Sequence, residues 1–229
     1  MSKPTRAVIL ANGEMENRAA VKALIHPSDT IIAADGGAQY CQQLGLSPDV
    51  LIGDFDSLSS ELLAGFEQAG AQIIRHPARK DFTDLELALQ YARSLGAIDI
   101  LVLGALGARW DQSLANLLLA ASEQFIDINI KLIDGEQEIF LLREGSTHEV
   151  TGEPGDIVSL IPLGDNAQGI RTEGLEYPLQ DEPLIFGATR GISNVLLDRT
   201  ALISLNQGSL LCVIIHNMDH KENRDHSQS

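Results

Sequence analysis

The sequence is poor in cysteine, in aromatic rings and in basic side chains. Its 229 residues include two cysteines, Cys41 and Cys212, far apart and outside any CxxC pair. That spacing speaks against a disulfide framework or a structural zinc site. Aromatic residues make up 4% of the chain. Sixteen Lys and Arg face 32 Asp and Glu, for a formal net charge of −16. Such a surface repels nucleic acid and anionic membrane, so neither is an expected partner. No apolar run approaches the ~18–20 residues needed to cross a bilayer. The first residues lead directly into a strand-like run without the apolar core of a secretory signal, and a cytoplasmic location is the expectation. No Ser-His-Asp or Cys-His arrangement for nucleophilic catalysis stands out.

What is present is a chain of 44% hydrophobic residues, enough for one large domain or two modest ones. The part up to about Leu142 alternates β-rich runs with helical patterns. Strands are expected at Ala7–Ala11, Thr30–Ala34, Val50–Ile52, Gln72–Arg75, Ile100–Leu103 and Ile128–Ile133. Helices are expected at Asn17–Ile25, Gly37–Leu44, Asp84–Leu95 and Trp110–Ala121. Strand–helix alternation with nearly all-apolar strands implies a parallel sheet covered on both faces. Thr83-Asp84-Leu85-Glu86 reads as a capping box. From about Gly145 the pattern changes to short strands punctuated by Gly, Pro, Asn and Asp: Gly155–Pro162, Ala167–Tyr177, Pro183–Gly187, Ile192–Asp198 and Ala201–Ile215. This predicts an antiparallel sandwich or barrel over residues 143–216. The polar end, from His216, reads as a disordered tail over 217–229.

Ligands of open parallel sheets sit beyond the carboxyl ends of the strands. Here those ends carry acids. The second strand runs into Asp35-Gly36-Gly37. The third runs into Gly53-Asp54-Phe55-Asp56-Ser57. Arg79-Lys80-Asp81-Phe82-Thr83-Asp84 follows the fourth. Gly104-Ala105-Leu106-Gly107-Ala108-Arg109-Trp110-Asp111 follows the fifth. If Asp54 and Asp56 lie on extended backbone, both carboxylates share one face. Like charges so close call for a cation between them, and Mg²⁺ prefers such oxygen ligands. Asp84 also suits a helix start, and Asp111 a helix N-cap. Lys80 and Arg109 are cations able to hold phosphate oxygens. The glycine-containing loop lacks both GxxxxGK[ST] and GxGxxG. Together these residues point to metal-assisted phosphoryl-type chemistry, which works by positioning and charge neutralisation.

The ordered set Asp35-Gly36-Gly37-Ala38, Gly53-Asp54-Phe55-Asp56-Ser57, Lys80-Asp81-Phe82-Thr83-Asp84 and Gly107-Ala108-Arg109-Trp110-Asp111-Gln112 resembles the thiamine pyrophosphokinase family. Gly174-Leu175-Glu176-Tyr177-Pro178-Leu179 and Gly191-Ile192-Ser193-Asn194 are similar to its C-terminal motifs. The resemblance implies a Rossmann-like, mostly parallel α/β domain over 1–142 that binds ATP and Mg²⁺. An antiparallel β-sandwich that binds thiamine and dimerises would follow. It implies a homodimer with thiamine in clefts between subunits. The reaction would move a pyrophosphoryl group from ATP to the thiamine hydroxyl, giving thiamine diphosphate and AMP. Asp54, Asp56 and Asp84 would hold Mg²⁺. Asp35, Lys80, Arg109 and Asp111 would organise ATP or the attacking hydroxyl. Gln112, Tyr177, Ser193 and Asn194 would complete the substrate contacts. Tyr177 stands where many eukaryotic members have Trp, and Gly107-Ala108-Arg109 where Gly-Gly-Arg is common. A pterin alcohol as acceptor, or a binding module without catalysis, is the alternative.

Overall fold

The computed structural model describes residues 5–15, 17–77 and 81–217. The chain forms two compact units, divided between Gly135 and Glu136.

In the first unit, β1 (Thr5–Leu10), α1 (Arg18–Ala23), β2 (Thr30–Ala34), α2 (Gly37–Leu44), β3 (Val50–Gly53), α3 (Ser60–Gln68), β4 (Gln72–Arg75), α4 (Asp84–Ser94), β5 (Ala97–Leu103), α5 (Trp110–Ala120) and β6 (Asn129–Asp134) follow in order. The strands lie side by side as β4-β3-β2-β1-β5-β6. Every pair in that series is parallel. The central strands are buried toward their carboxyl ends: Ala7–Leu10, Ile32–Ala34 and Val50–Gly53 expose almost nothing. Edge strand β4 is only half-buried, as its apolar Ile73 and Ile74 flanked by Gln72 and Arg75 require. Each fully buried Leu or Ile contributes about 1.5–3 kcal/mol.

Strands numbered 1 to 4 run outward in one direction, and β5 returns to the other side of β1. The order therefore reverses at β1 and β5, and a crevice opens where their carboxyl ends diverge. Helix α2 packs against β1 and β2 beside it. A Cβ at Gly37 would lie 1.9 Å from the Leu10 carbonyl oxygen, so only glycine lets the helix start this close to β1. Helix α4 begins with the Thr83 hydroxyl accepting the Glu86 N–H at 3.2 Å. The reciprocal arm of the expected capping box goes elsewhere: Glu86 Oε1 accepts from Gln124 at 3.1 Å. Helix α3 was not evident from the apolar spacing. It starts on the Ser59 hydroxyl, which accepts the Leu62 N–H at 3.2 Å, and buries Phe66 alone.

The second unit contains β7 (Gln137–Arg143), β8 (Ser146–Thr151), β9 (Ile157–Pro162), β10 (Ala167–Glu173), β11 (Gln180–Leu184), β12 (Asn194–Val195), β13 (Thr200–Leu205) and β14 (Ser209–Ile215). One layer runs β12-β9-β14-β7 and the other β11-β10-β13-β8, all antiparallel. Alternate residues of both layers meet in one core. Phe140 and Leu142, Ala201, Ile203 and Leu205, and Leu210, Cys212 and Ile214 supply much of it. This is the expected sandwich. β7, which precedes the boundary expected after Leu142, packs in this unit. The run Ala201–Ile215 is not one strand. It breaks at residues 206–208, where Gly208 takes φ 95° and the chain passes from one layer to the other.

The second unit's last strand is fastened by a buried carboxylate. Asp156 is 2% exposed. It accepts the Glu153 N–H at 3.0 Å, the Asn217 N–H at 2.9 Å and a contact from His216 Nδ1 at 2.8 Å. His216 and Asn217 are thus held in place, where the sequence suggested the start of a free tail. The tail from 218 onward lies outside the described residues. Burial pushes the Asp156 pKa up, but those hydrogen bonds and the charge of His216 outweigh it, and the value is lowered from 3.8. A lowered folded-state value means stability that is present above the ordinary carboxylate pKa and lost as pH falls through the folded one. Asp156→Ala is therefore expected to cost about 1–3 kcal/mol in urea unfolding at pH 7. The gap to wild type should shrink below about pH 4.

Candidate active site

The carboxyl ends of the first unit's strands enclose a cavity of about 770 Å³. Its walls come from segments distant in sequence. Ala11 to Glu14 leave β1, Ala34 and Asp35 leave β2, and Asp54 leaves β3. Phe82 to Leu85 open α4, and Gly104 to Arg109 lead from β5 into α5, which adds Asp111, Gln112, Ser113 and Asn116.

Asp35 sits at the centre of its electrostatics. Its backbone is left-handed, φ 44°, a conformation that Asp tolerates better than most residues. Its N–H bonds the Ile52 carbonyl at 2.8 Å, which ties the end of β2 to β3. The Ser57 hydroxyl donates to Oδ2 at 3.4 Å. Oδ1 is buried and has no hydrogen-bond partner among the described residues. Burial raises the Asp35 pKa. The backbone N–H groups of Gly36 and Phe55 pull against that, while the charges of Asp84 and Asp54 push it further up. Asp35 thus senses both Asp54 and Asp84 at the cavity.

The Gly53–Ser57 turn differs from the extended geometry considered above. Phe55 is buried and left-handed, φ 63°, and Arg75 lies 5.3 Å from its ring centroid. The Asp56 N–H folds back onto Asp54 Oδ1 at 3.0 Å. A left-handed residue between them breaks the two-residue alternation. Asp54 consequently lines the cavity, and Asp56 is exposed outside its lining. A left-handed phenylalanine costs on the order of 1–3 kcal/mol, and such strain gathers at functional sites. Among the described residues, no group of His, Cys, Asp or Glu stands ready-assembled around a metal position.

Across the cavity, Arg109 is the N-cap of α5. It forks onto Asp111, with Nε–Oδ1 at 3.2 Å and a second contact, NH2–Oδ2, at 2.5 Å. The sequence suggested Asp111 as the cap, but it lies in the first turn. The hydrogen bond from Arg109 lowers the Asp111 pKa, and Asp111 in turn raises that of Arg109. Both side chains are about two-thirds exposed and available to a ligand. Gln112 stands beside them, exposed at the cavity wall. Lys80 lies outside the described residues.

The β1 end is not among the sites expected from sequence, although Glu14 follows that strand and lines the cavity. Its signal was Asn12-Gly13 directly after an apolar strand. The Gly13 N–H donates to the Gly104 carbonyl at 2.6 Å, and a Cβ at Gly13 would lie 2.3 Å from the Leu106 carbonyl oxygen. Glycine is thus required for the β1 and β5 loops to close on each other. The Tyr40 hydroxyl donates to the Gly13 carbonyl at 2.6 Å and holds the β1 loop from α2.

In the second unit, Tyr177, Ser193 and Asn194 lie together. The Asn194 side chain accepts the Tyr177 N–H at 3.0 Å and donates to the Tyr177 carbonyl at 2.7 Å. Its amide is thereby committed to the backbone of the Tyr177 turn. The Tyr177 ring is 66% exposed. Ser193 is left-handed, φ 59°, and its N–H bonds the Ser159 hydroxyl at 3.0 Å.

Known proteins match both units. Residues 21–132 match the thiamin pyrophosphokinase catalytic domain, and residues 147–210 match the thiamin pyrophosphokinase vitamin B1 binding domain. The chain is similar to thiamine pyrophosphokinase of Bacillus subtilis, with 30% identity over 80% of this chain and 85% of that one. A crystal structure of thiamine pyrophosphokinase from Bacillus subtilis superposes with a TM-score of 0.83 at 26% identity, covering 93% of this chain and all of that one. One from Geobacillus thermodenitrificans gives 0.80 at 25% identity, covering 93% and 98%. Both units are matched in order, and the relatives align across most of the chain: it belongs to the thiamin pyrophosphokinase family.

Proposed function

We propose that the chain transfers a pyrophosphoryl group from ATP to the hydroxyl of thiamine, giving thiamine diphosphate and AMP, with Mg²⁺ required. The observation that carries this reading is the convergence of Asp35, Asp54 and Asp84 on one cavity that the Gly104–Arg109 loop also lines.

Mg²⁺ fits these residues. The partnerless, buried Asp35 Oδ1 and the charges of Asp84 and Asp54 acting on Asp35 are what a hard cation relieves. Asp54 and Asp84 are the proposed ligands inside the cavity. Asp56, exposed at the same turn, is the third. When bound, the ion neutralises charge on the phosphate oxygens and helps to align them. Arg109, held flat by Asp111, offers its free guanidinium edge to phosphate, and Gln112 supports the same substrate. Lys80 is assigned a matching role from sequence alone.

Asp35 is the proposed base. Burial, helped by the charges of Asp84 and Asp54, raises its pKa and makes it a better proton acceptor than an ordinary surface Asp. The thiamine hydroxyl oxygen would bond the β-phosphorus as its proton passes to Asp35. The bond from that phosphorus to the α–β bridging oxygen would break, and AMP would leave. Thiamine is assigned to Tyr177 and Ser193, with Asn194 fixing the Tyr177 turn; an exposed tyrosine ring suits a cationic thiazolium. A homodimer belongs to the same reading. Trp110, Leu114 and Leu118 support it: they recur every four residues along α5 and are 84%, 57% and 51% exposed. A cytoplasmic location belongs to the same reading.

The direct assay is ATP plus thiamine with and without Mg²⁺, read by mass spectrometry. Thiamine diphosphate and AMP are expected in the complete mixture only. ATP loss without thiamine diphosphate would overturn the reading. Asp54→Asn is expected to lower kcat by at least about 100-fold with a melting temperature no lower than that of wild type. Asp35 makes a separate prediction. Its raised folded-state pKa means that its ionised form costs stability once pH rises through that value. Asp35→Asn should therefore raise the melting temperature of the metal-free protein at pH 7 and change it little at pH 3, while abolishing turnover.

A further inference from the structure

The segment from β5 to α5 distributes its hydrogen bonds unevenly. The carbonyls of Leu103, Gly104 and Leu106 accept the N–H groups of Ala11, Gly13 and Glu14 at 2.8, 2.6 and 2.8 Å. The Ala105 carbonyl accepts from Asn116 Nδ2 at 2.6 Å. The Gly107 carbonyl accepts from the Ser113 hydroxyl at 3.1 Å, and that hydroxyl also accepts the Gly107 N–H at 3.1 Å. A run of successive carbonyls is therefore consumed by protein donors. The N–H groups of Ala105, Leu106 and Ala108 have no protein acceptor among the described residues, and all of these residues line the cavity.

This asymmetry has an electrostatic meaning. A loop offers an anion either carbonyl oxygens, which repel it, or N–H groups, which attract it. Fixing the carbonyls on other donors decides the matter before any ligand arrives. The β1 loop supplies part of that fixation through its backbone, which substitution barely alters. The rest comes from Ser113 and Asn116, one turn apart on α5. Ser113 is 7% exposed, a buried hydroxyl in a helix whose other buried residue is Ala120. A small apolar residue would fill that space without needing a partner. The bonds to Gly107 account for the serine.

We propose that Ser113 and Asn116 are positioning residues: they hold the Gly104–Ala108 backbone with its carbonyls engaged, so that the loop presents N–H groups to the phosphate chain of a nucleoside triphosphate. Neither side chain needs to touch the reacting atoms. The inference rests on the function proposed above for its nucleotide and adds the residues that give the loop its polarity.

The test compares Ser113→Ala, Ser113→Thr and Asn116→Ala with wild type in the dimer-competent full chain. In the alanine variants, KM for ATP should rise about ten-fold, the effect of one lost well-placed hydrogen bond. KM for thiamine should stay within about two-fold. Ser113→Thr, which restores the hydroxyl, should recover most of the ATP affinity. If Asn116→Ala does not fold, the Ser113 pair decides alone. Both KM values rising together, or neither changing, would overturn the proposal. Calorimetry with inorganic triphosphate and Mg²⁺ separates this inference from the acceptor assignment. If wild type binds triphosphate about ten-fold more tightly than Ser113→Ala yet converts no thiamine, the acceptor reading fails and the loop assignment stands. If wild type converts thiamine but triphosphate binds both proteins equally, the loop assignment falls.

Discussion

The burial of the Asp35 carboxylate beside the charges of Asp84 and Asp54 is the constraint around which the cavity of the first unit is arranged. Each acid is delivered by a different strand end, and a parallel sheet places all such ends on one edge. The chain cannot relax the repulsion by local rearrangement, because each carboxylate is anchored to a separate element. Asp35 is fixed by its N–H on Ile52, and Asp54 by the turn that its own Oδ1 closes with Asp56. The cost appears at Asp35, whose pKa is raised first by burial and then by the charges of Asp84 and Asp54, and whose Oδ1 is orphaned. A protein selected for stability alone would not keep this arrangement. One that must bind a divalent ion with a polyphosphate gains from it, since binding removes the repulsion at the moment the substrate arrives.

The opposite wall works with the opposite sign. There the chain spends hydrogen bonds to turn peptide groups one way, and it pairs its cation, Arg109, with Asp111 on an exposed edge. On the proposed function, the two walls would meet the two charges of a metal–nucleotide complex. Glycines at close contacts make this possible. Gly37 lets α2 begin against β1, and Gly13 lets the β1 and β5 loops zip together. The strained Phe55, buried with Arg75 over its ring, is the backbone counterpart of the same arrangement.

Much of this was legible in the sequence. Apolar runs alternating with helical spacing gave the parallel sheet, and acids immediately after those runs gave the site edge. The sandwich followed from Gly- and Pro-punctuated short strands. Other parts were not legible, for physical reasons. The positive φ of Phe55 is not encoded in its residue type, so the shared face expected for Asp54 and Asp56 did not form. Helix α3 is short and buries only Phe66 fully, with Leu62 and Leu63 half-buried beside it, so its apolar stripe spans barely more than one turn. The break at 206–208 lies inside a run that is apolar on both sides because it feeds two layers of one core. Residues 12–14 carry no charge cluster, and their place in the cavity follows from the strand order alone. His216 looked like part of a polar tail because its partner, Asp156, is distant in sequence.

The account's central claim is that the acids at the strand ends share one divalent cation. Anomalous diffraction from crystals grown with Mn²⁺ and a non-hydrolysable ATP analogue tests it most directly. The account predicts a peak at about 2.0–2.2 Å from carboxylate oxygens of both Asp54 and Asp84, with analogue phosphate oxygens completing the shell. A bound analogue with no peak at these carboxylates, or a peak held by phosphate alone, would contradict it.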